Sequence, residues 1–268
     1  MGTTWDPGQY QRYGGHRLRP ALELLERIEI EAPRVVYDLG CGAGEIARIM
    51  AERWPEAHVF GVDSSEAMVA KARAAGPSRV EWRVEDAATF SPDEPVDVLY
   101  SNAMLHWIPE HREIFPHLAG TLRAGGVLAV QMPLSWPEPS HRLLRETLAH
   151  GNGGRGYGTD ALRARVGRRW VEDADVYYDL LRPLCGDIDV WETRYLQVLA
   201  GADPVLEWVK GSGLRPVLDA LDGDACESFL AEYSERLRQA YPPRSGGETL
   251  YPFPRLFLVA RRGASLSS

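Results

Sequence analysis

Apolar positions along this chain fall into two rhythms that take turns. Short strand candidates recur at Val35–Leu39, Val59–Val62, Val80–Val84, Val96–Tyr100 and Val127–Gln131. Each is too short for a helix and is rich in valine, which suits a pleated surface. Between the runs, apolar residues sit three and four apart. Ala21, Leu22, Leu24, Leu25 and Ile28 stripe a segment Arg19–Ile28 with Pro20 near its start, and Ile46–Arg53, Ser65–Ala75 and Arg112–Leu122 carry the same spacing. Strand and helix alternating in this way predict an α/β fold, a mostly parallel sheet with helices on both faces.

The rhythm breaks at Pro133, Pro137 and Pro139, and the stretch HGNGGRGYG at 150–158 is expected to be a flexible link. It resumes with a strand at Ile188–Leu199, helices near Pro204–Gly211 and Asp224–Arg238, and a closing apolar run Leu256–Ala260. Residues 31–133 and 187–262 are therefore expected to form the α/β core, 134–186 an inserted helical cap, and 263–268 a loose tail.

Composition narrows the class. With 268 residues, 44% of them hydrophobic, the chain can bury a large core. A net charge of −8 argues against a nucleic-acid backbone or an anionic membrane as the main partner. Cys41, Cys185 and Cys226 are far apart and in no ligand spacing, so neither disulfides nor a metal site are expected. The N-terminus has no apolar signal core and no run reaches eighteen apolar residues, from which a soluble cytoplasmic protein is expected.

Candidate chemistry gathers at the strand ends. VVYDLGCGAGEIARIM, residues 35–50, places Gly40, Gly42 and Gly44 where the first strand turns into a helix, the position at which open α/β sheets take up ligands. A dinucleotide fingerprint would read GxGxxG; here Asp38 precedes the glycines instead, and a carboxylate there favours a ligand with a cationic end. Asp63, closing the second strand, can accept from a ribose diol, and Asp86 from an exocyclic amine. With Ser101 and Asn102 after the fourth strand, these groups line one sheet edge in chain order.

On these residues, and on DLGCGAG above all, the chain resembles the class I S-adenosylmethionine-dependent methyltransferases. The resemblance implies a Rossmann-like seven-stranded sheet whose last hairpin is reversed, with S-adenosylmethionine as cofactor and S-adenosylhomocysteine as product. It assigns Gly40, Gly42 and Gly44 to the methionine end, Asp63 to the ribose, and Asp86 with Ala87 to the adenine. It also implies contacts from Arg19, Asp38, Ser64, Met68, Asn102 and Trp107, and makes residues 1–30 a lid segment and first helix. The segments WDPGQY, RLRPALELL, SNAMLHWIPEH, WPEPSH, YYDLL, WVKGSGLRP and FPRLFLVARR resemble, more narrowly, the trans-aconitate 2-methyltransferases. His106 before Trp107, where bacterial members have glutamine, and the divergent glycine-rich link are departures from that pattern.

The resemblance sets the expected reaction, a metal-free in-line methyl transfer to a carboxylate of a small polycarboxylic acid. A carboxylate is ionised at neutral pH and needs no general base. Should the acceptor be a hydroxyl or phenol, His106 would be the base; a non-catalytic cofactor-binding protein is the remaining alternative. Arg17 or Arg19 is expected at the cofactor carboxylate. Arg17, Arg194 and Arg255 are expected to hold the anionic acceptor, with Tyr10, Trp136 and Tyr178 as walls. No nucleic-acid or membrane partner is expected, and the chain is expected to be a monomer or weak homodimer.

Overall fold

The computed structural model describes residues 18–211 and 213–263. Strands β1 (Val35–Leu39), β2 (His58–Asp63), β3 (Val80–Val84), β4 (Val96–Asn102) and β5 (Leu122–Pro133) are parallel neighbours, and β7 (Thr249–Arg262) runs antiparallel beside β5. With β6 (Cys185–Leu199) the order across the sheet is β3-β2-β1-β4-β5-β7-β6. Every residue of β1 is buried, as a central parallel strand covered on both faces requires. Helices Glu45–Arg53, Glu66–Ala74 and His111–Gly120 make the crossovers.

This order places a crevice. The chain leaves β1 toward β2 and β3, then returns to add β4 on the other side of β1, and such a switch opens a ligand crevice at the carboxyl ends of the two strands. At the opposite edge buried Asp97 pins the pair, accepting from the amides of Arg34 at 3.0 Å and Val35 at 2.9 Å and pairing with Arg123.

The molecule divides into two compact units along different lines from those expected. One comprises Met1–Pro133, Trp170–Thr193 and Arg255–Ser268, the other Leu134–Arg169 and Arg194–Pro254. Residues 170–186, expected in the cap, belong with the sheet because Tyr177 of helix Ala174–Leu181 is fully buried against Phe115, ring centroids 4.5 Å apart. In the second unit, helix Pro139–His150 packs along helix Gly223–Ala240. Buried Ser140 is held by three tyrosines: its amide donates to Tyr241, its carbonyl accepts from Tyr233, and its hydroxyl meets Tyr251.

The expected flexible link is a fastened loop. Glu232 accepts from the Asn152 amide at 3.0 Å and from the Tyr157 hydroxyl at 3.1 Å, tying residues 152–157 to the long helix. β7 begins seven residues before the apolar run that marked it. Pro252 and Pro254 lie inside it, and proline in a sequence argues against a strand. Residues 264–268 of the expected tail lie outside the described residues. No helix of the described residues is long and apolar enough to cross a membrane.

Candidate functional site

The penultimate residue of β1 is a carboxylate that lies under a turn. Asp38 is 3% exposed, and its side chain accepts from the backbone amide of Ala47, so it caps from below a helix whose own N-cap, Gly44, has no side chain. Burial raises the Asp38 pKa to about 7; the Ala47 hydrogen bond opposes that and the Asp63 carboxylate reinforces it. The neighbouring Cys41 thiol is pushed up by burial and by both aspartates, which makes it an inert core group.

The three glycines have different reasons. A side chain at Gly40 would overlap Met104 in the loop after β4, and one at Gly44 would overlap the Trp82 indole of β3. At these two positions the space expected for a ligand is filled by protein. Gly42, with φ 55°, faces nothing within 4 Å, and it alone keeps an open approach. Its amide donates to Asp63 Oδ2 at 2.9 Å, while Asp63 Oδ1 accepts from the Ser65 amide at 2.8 Å. Asp63 therefore braces the β1 turn against the β2 loop, with each oxygen keeping a second lone pair.

The remaining expected cofactor residues divide. Ser64 is exposed and Met68 is 38% exposed at the start of the helix after β2, where the Met68 amide donates to Ser65 Oγ. Asp86 caps the short turn Ala87–Thr89, accepting from the Ala88 amide at 2.9 Å, with Ala87 buried. Asn102 closes β4 and is followed by Ala103 at φ 53°, a left-handed conformation that a non-glycine residue holds only under constraint. Arg19 is exposed and pairs with Glu23 one turn on. Tyr10 and Arg17 lie outside the described residues.

Among the expected acceptor residues, Arg255 is 6% exposed at the carboxyl edge of the sheet, its Nη1 donating to Gln131 Oε1 at 3.3 Å. Arg194, in the other unit, closes its fork on buried Glu138 at 2.9 and 3.2 Å, so its bidentate geometry already serves a protein carboxylate. Trp136 in that unit carries the Arg145 guanidinium over its ring at 3.7 Å. Tyr178 is 44% exposed on its helix.

A turn at Leu105–Trp107 carries His106 and Trp107, rings 4.8 Å apart, with Trp107 51% exposed. Beneath it runs a relay invisible in the sequence. The Leu105 carbonyl can only accept, so His111 Nε2 donates to it at 3.0 Å and Nδ1 accepts from the Tyr177 hydroxyl at 2.6 Å; that oxygen accepts from the Glu172 amide at 2.9 Å. Burial lowers the His111 pKa, which suits the neutral ring that this pattern needs. Tyr177→Phe removes the donor to His111 and should cost about 1–3 kcal/mol, read as a fall of several degrees in a thermal melt.

With this geometry in place, comparisons with known proteins are informative. Residues 36–126 match a family model described as a methyltransferase domain. A trans-aconitate 2-methyltransferase of Methylobacterium radiotolerans is 46% identical, the alignment covering 97% of this chain and 99% of that protein. One of Azoarcus sp. is 45% identical over 97% and 99%. Among solved structures, the YcgJ protein of Bacillus subtilis shares the fold at a TM-score of 0.60 with 15% identity, covering 93% of this chain and all of that one. The phosphoethanolamine N-methyltransferase 2 of Haemonchus contortus, solved with S-adenosyl-L-methionine, aligns at a TM-score of 0.54 with 18% identity over 92% and 53%.

Proposed function

The chain belongs to the trans-aconitate 2-methyltransferase family, and on that premise we propose that it transfers the methyl group of S-adenosylmethionine to a carboxylate of trans-aconitate, releasing S-adenosylhomocysteine. The observation that carries the reading is the braced turn: Gly42 open on one side, Asp63 tied to it, and a buried Asp38 beneath. A cationic ligand relieves what burial costs the Asp38 carboxylate, and a ribose diol takes up the second lone pairs of Asp63. On this reading exposed Met68 and Ser64 contribute to the rim, and Asn102 at the end of β4 with Trp107 in the turn that follows closes the site.

S-adenosylmethionine supplies a methyl group already activated on a sulfonium. The protein's own work is therefore to align the acceptor oxygen and exclude water, which in favourable cases is worth about 7–11 kcal/mol. An ionised carboxylate brings its own lone pair, so no residue has to move a proton. On this reading His106 is a wall of the site, and the chain acts on its small anionic substrate in the cytoplasm, as a monomer or weak homodimer.

The test is mass spectrometry of purified protein with labelled S-adenosylmethionine and trans-aconitate, beside citrate, isocitrate, cis-aconitate and simple phenols. A base-labile monomethyl ester from trans-aconitate is expected, and His106→Ala should retain turnover within about threefold. Label transferred only to a phenol, and lost in His106→Ala, would replace the carboxylate reading with hydroxyl methylation.

A further inference from the structure

A row of polar side chains crosses one face of the sheet at its carboxyl edge. Asp38 pairs in register with Tyr100, Asn102 with Gln131, Gln131 with Phe257 and Pro133 with Arg255. Paired residues, and residues two apart on a strand, project to the same face. Asp38, Asn102, Gln131 and Arg255 therefore lie side by side across β1, β4, β5 and β7. The groups it leaves to a ligand change along its length: the carboxylate of Asp38 and the Oδ1 of Asn102, which has no hydrogen-bond partner among the described residues, then the Nε2 of Gln131 and the guanidinium of Arg255.

Gln131 is the anomaly in this row. It sits in an apolar strand at 1% exposure, and its Nε2 has no hydrogen-bond partner among the described residues. A buried donor left unpaired forfeits its hydration with nothing in return, so a fold keeps one only where something else uses it. Its orientation is not arbitrary, because Arg255 Nη1 can only donate and so holds Oε1 toward itself, which turns the NH2 group away. Two strand spacings separate β5 from β1, about 10 Å. Gln131 thus stands beside the crevice and on the side away from Asp38.

We propose that Gln131 and Arg255 form the seat for one carboxylate of the acceptor, with Gln131 selecting an anion by presenting hydrogens and Arg255 supplying the charge. The proposal rests on the carboxylate reading above and names the residues that give it specificity. The row's polarity then separates the two substrates: the cationic end of S-adenosylmethionine lies over the acceptor atoms and the anionic acceptor over the donors.

Gln131→Glu is the decisive variant, because it keeps the shape, places a carboxylate beside a guanidinium that can pair with it, and repels an incoming anion. The KM for trans-aconitate should rise about 30-fold or more and the inhibition constant of citrate should rise in step. S-adenosylmethionine affinity by calorimetry and the melting temperature should stay near wild type. Gln131→Leu, which removes the donor without adding charge, should raise KM about tenfold with a smaller change in kcat, and it serves if the glutamate variant fails to fold. A folded Gln131→Glu or Gln131→Leu whose KM stays within threefold of wild type overturns the seat. A wild type that binds the cofactor yet makes no ester overturns the carboxylate reading, and the seat with it, before any variant is made.

Discussion

Asp63→Ala is expected to weaken S-adenosylmethionine binding by about two orders of magnitude and to lower folding stability by roughly 2–4 kcal/mol. The two losses share a cause. One carboxylate holds the Gly42 amide and the Ser65 amide through different oxygens, and hydrogen bonds to a charged acceptor contribute about 1.5–3 kcal/mol each. Without them the turn around Gly42 is free to leave its left-handed geometry, and the binding-competent state becomes one of several, which weakens apparent affinity by the fraction lost. Asp63→Asn separates the terms. Its Oδ1 can keep the Ser65 bond, while its NH2 would face the Gly42 amide, donor against donor. Stability should then fall by about half as much, with affinity still reduced tenfold or more. Isothermal titration and thermal melts on both variants check this; an alanine variant that binds the cofactor within threefold of wild type would show that the brace is not part of the site.

The central parallel strands were legible because they are buried and read as short, valine-rich, largely apolar stretches, as at Val35–Leu39, whereas the edge strand β3, VEWRV, alternates apolar and charged residues and is only partly buried. β7 was legible only in its second half, since Pro252 and Pro254 in its first half punctuate the pattern. The glycine turn was legible as the turn from β1 into a helix, but the different surroundings of its glycines were not. Met104 against Gly40 and Trp82 against Gly44 depend on how β4 and β3 stand beside β1, which periodicity does not encode. Tyr177 and His111 are 66 residues apart in sequence and meet only because residues 170–193 return to the sheet. Gln131 did leave a signal: a lone amide inside the apolar run VLAVQM, a polar group that a buried strand has no other reason to carry. Arg194 was singled out for a free fork, and no local pattern announces that Glu138, 56 residues earlier, fills it.

S-adenosylmethionine should bind about tenfold more tightly at pH 8 than at pH 6, and Asp38→Asn should abolish that dependence while weakening binding by one to two orders of magnitude at pH 8. Burial holds the Asp38 pKa at about 7 in the free protein, so about one molecule in eleven has the carboxylate ionised at pH 6 and ten in eleven at pH 8. A cationic ligand favours the ionised form and must displace the proton below pH 7, so affinity falls with acidification and levels off above that pH. Calorimetry in two buffers of different ionisation enthalpy should register close to one proton released at pH 6 and almost none at pH 8. The free protein's stability runs the other way. An unfolded aspartate titrates near 3.8 and the folded one near 7, so between these values the unfolded chain gives up a proton that the folded chain keeps. The contribution from Asp38 is complete below pH 4 and is lost as pH rises through 7, a change on the order of 4 kcal/mol. The side-chain amide introduced by Asp38→Asn keeps an oxygen for the Ala47 amide without a charge to bury, so this variant should melt at or above the wild-type temperature at pH 8. A variant both less stable and unchanged in its pH profile of binding would make Asp38 a capping residue alone. A variant more stable and weaker in binding would show a carboxylate held at a cost to the fold for the sake of the cation it receives.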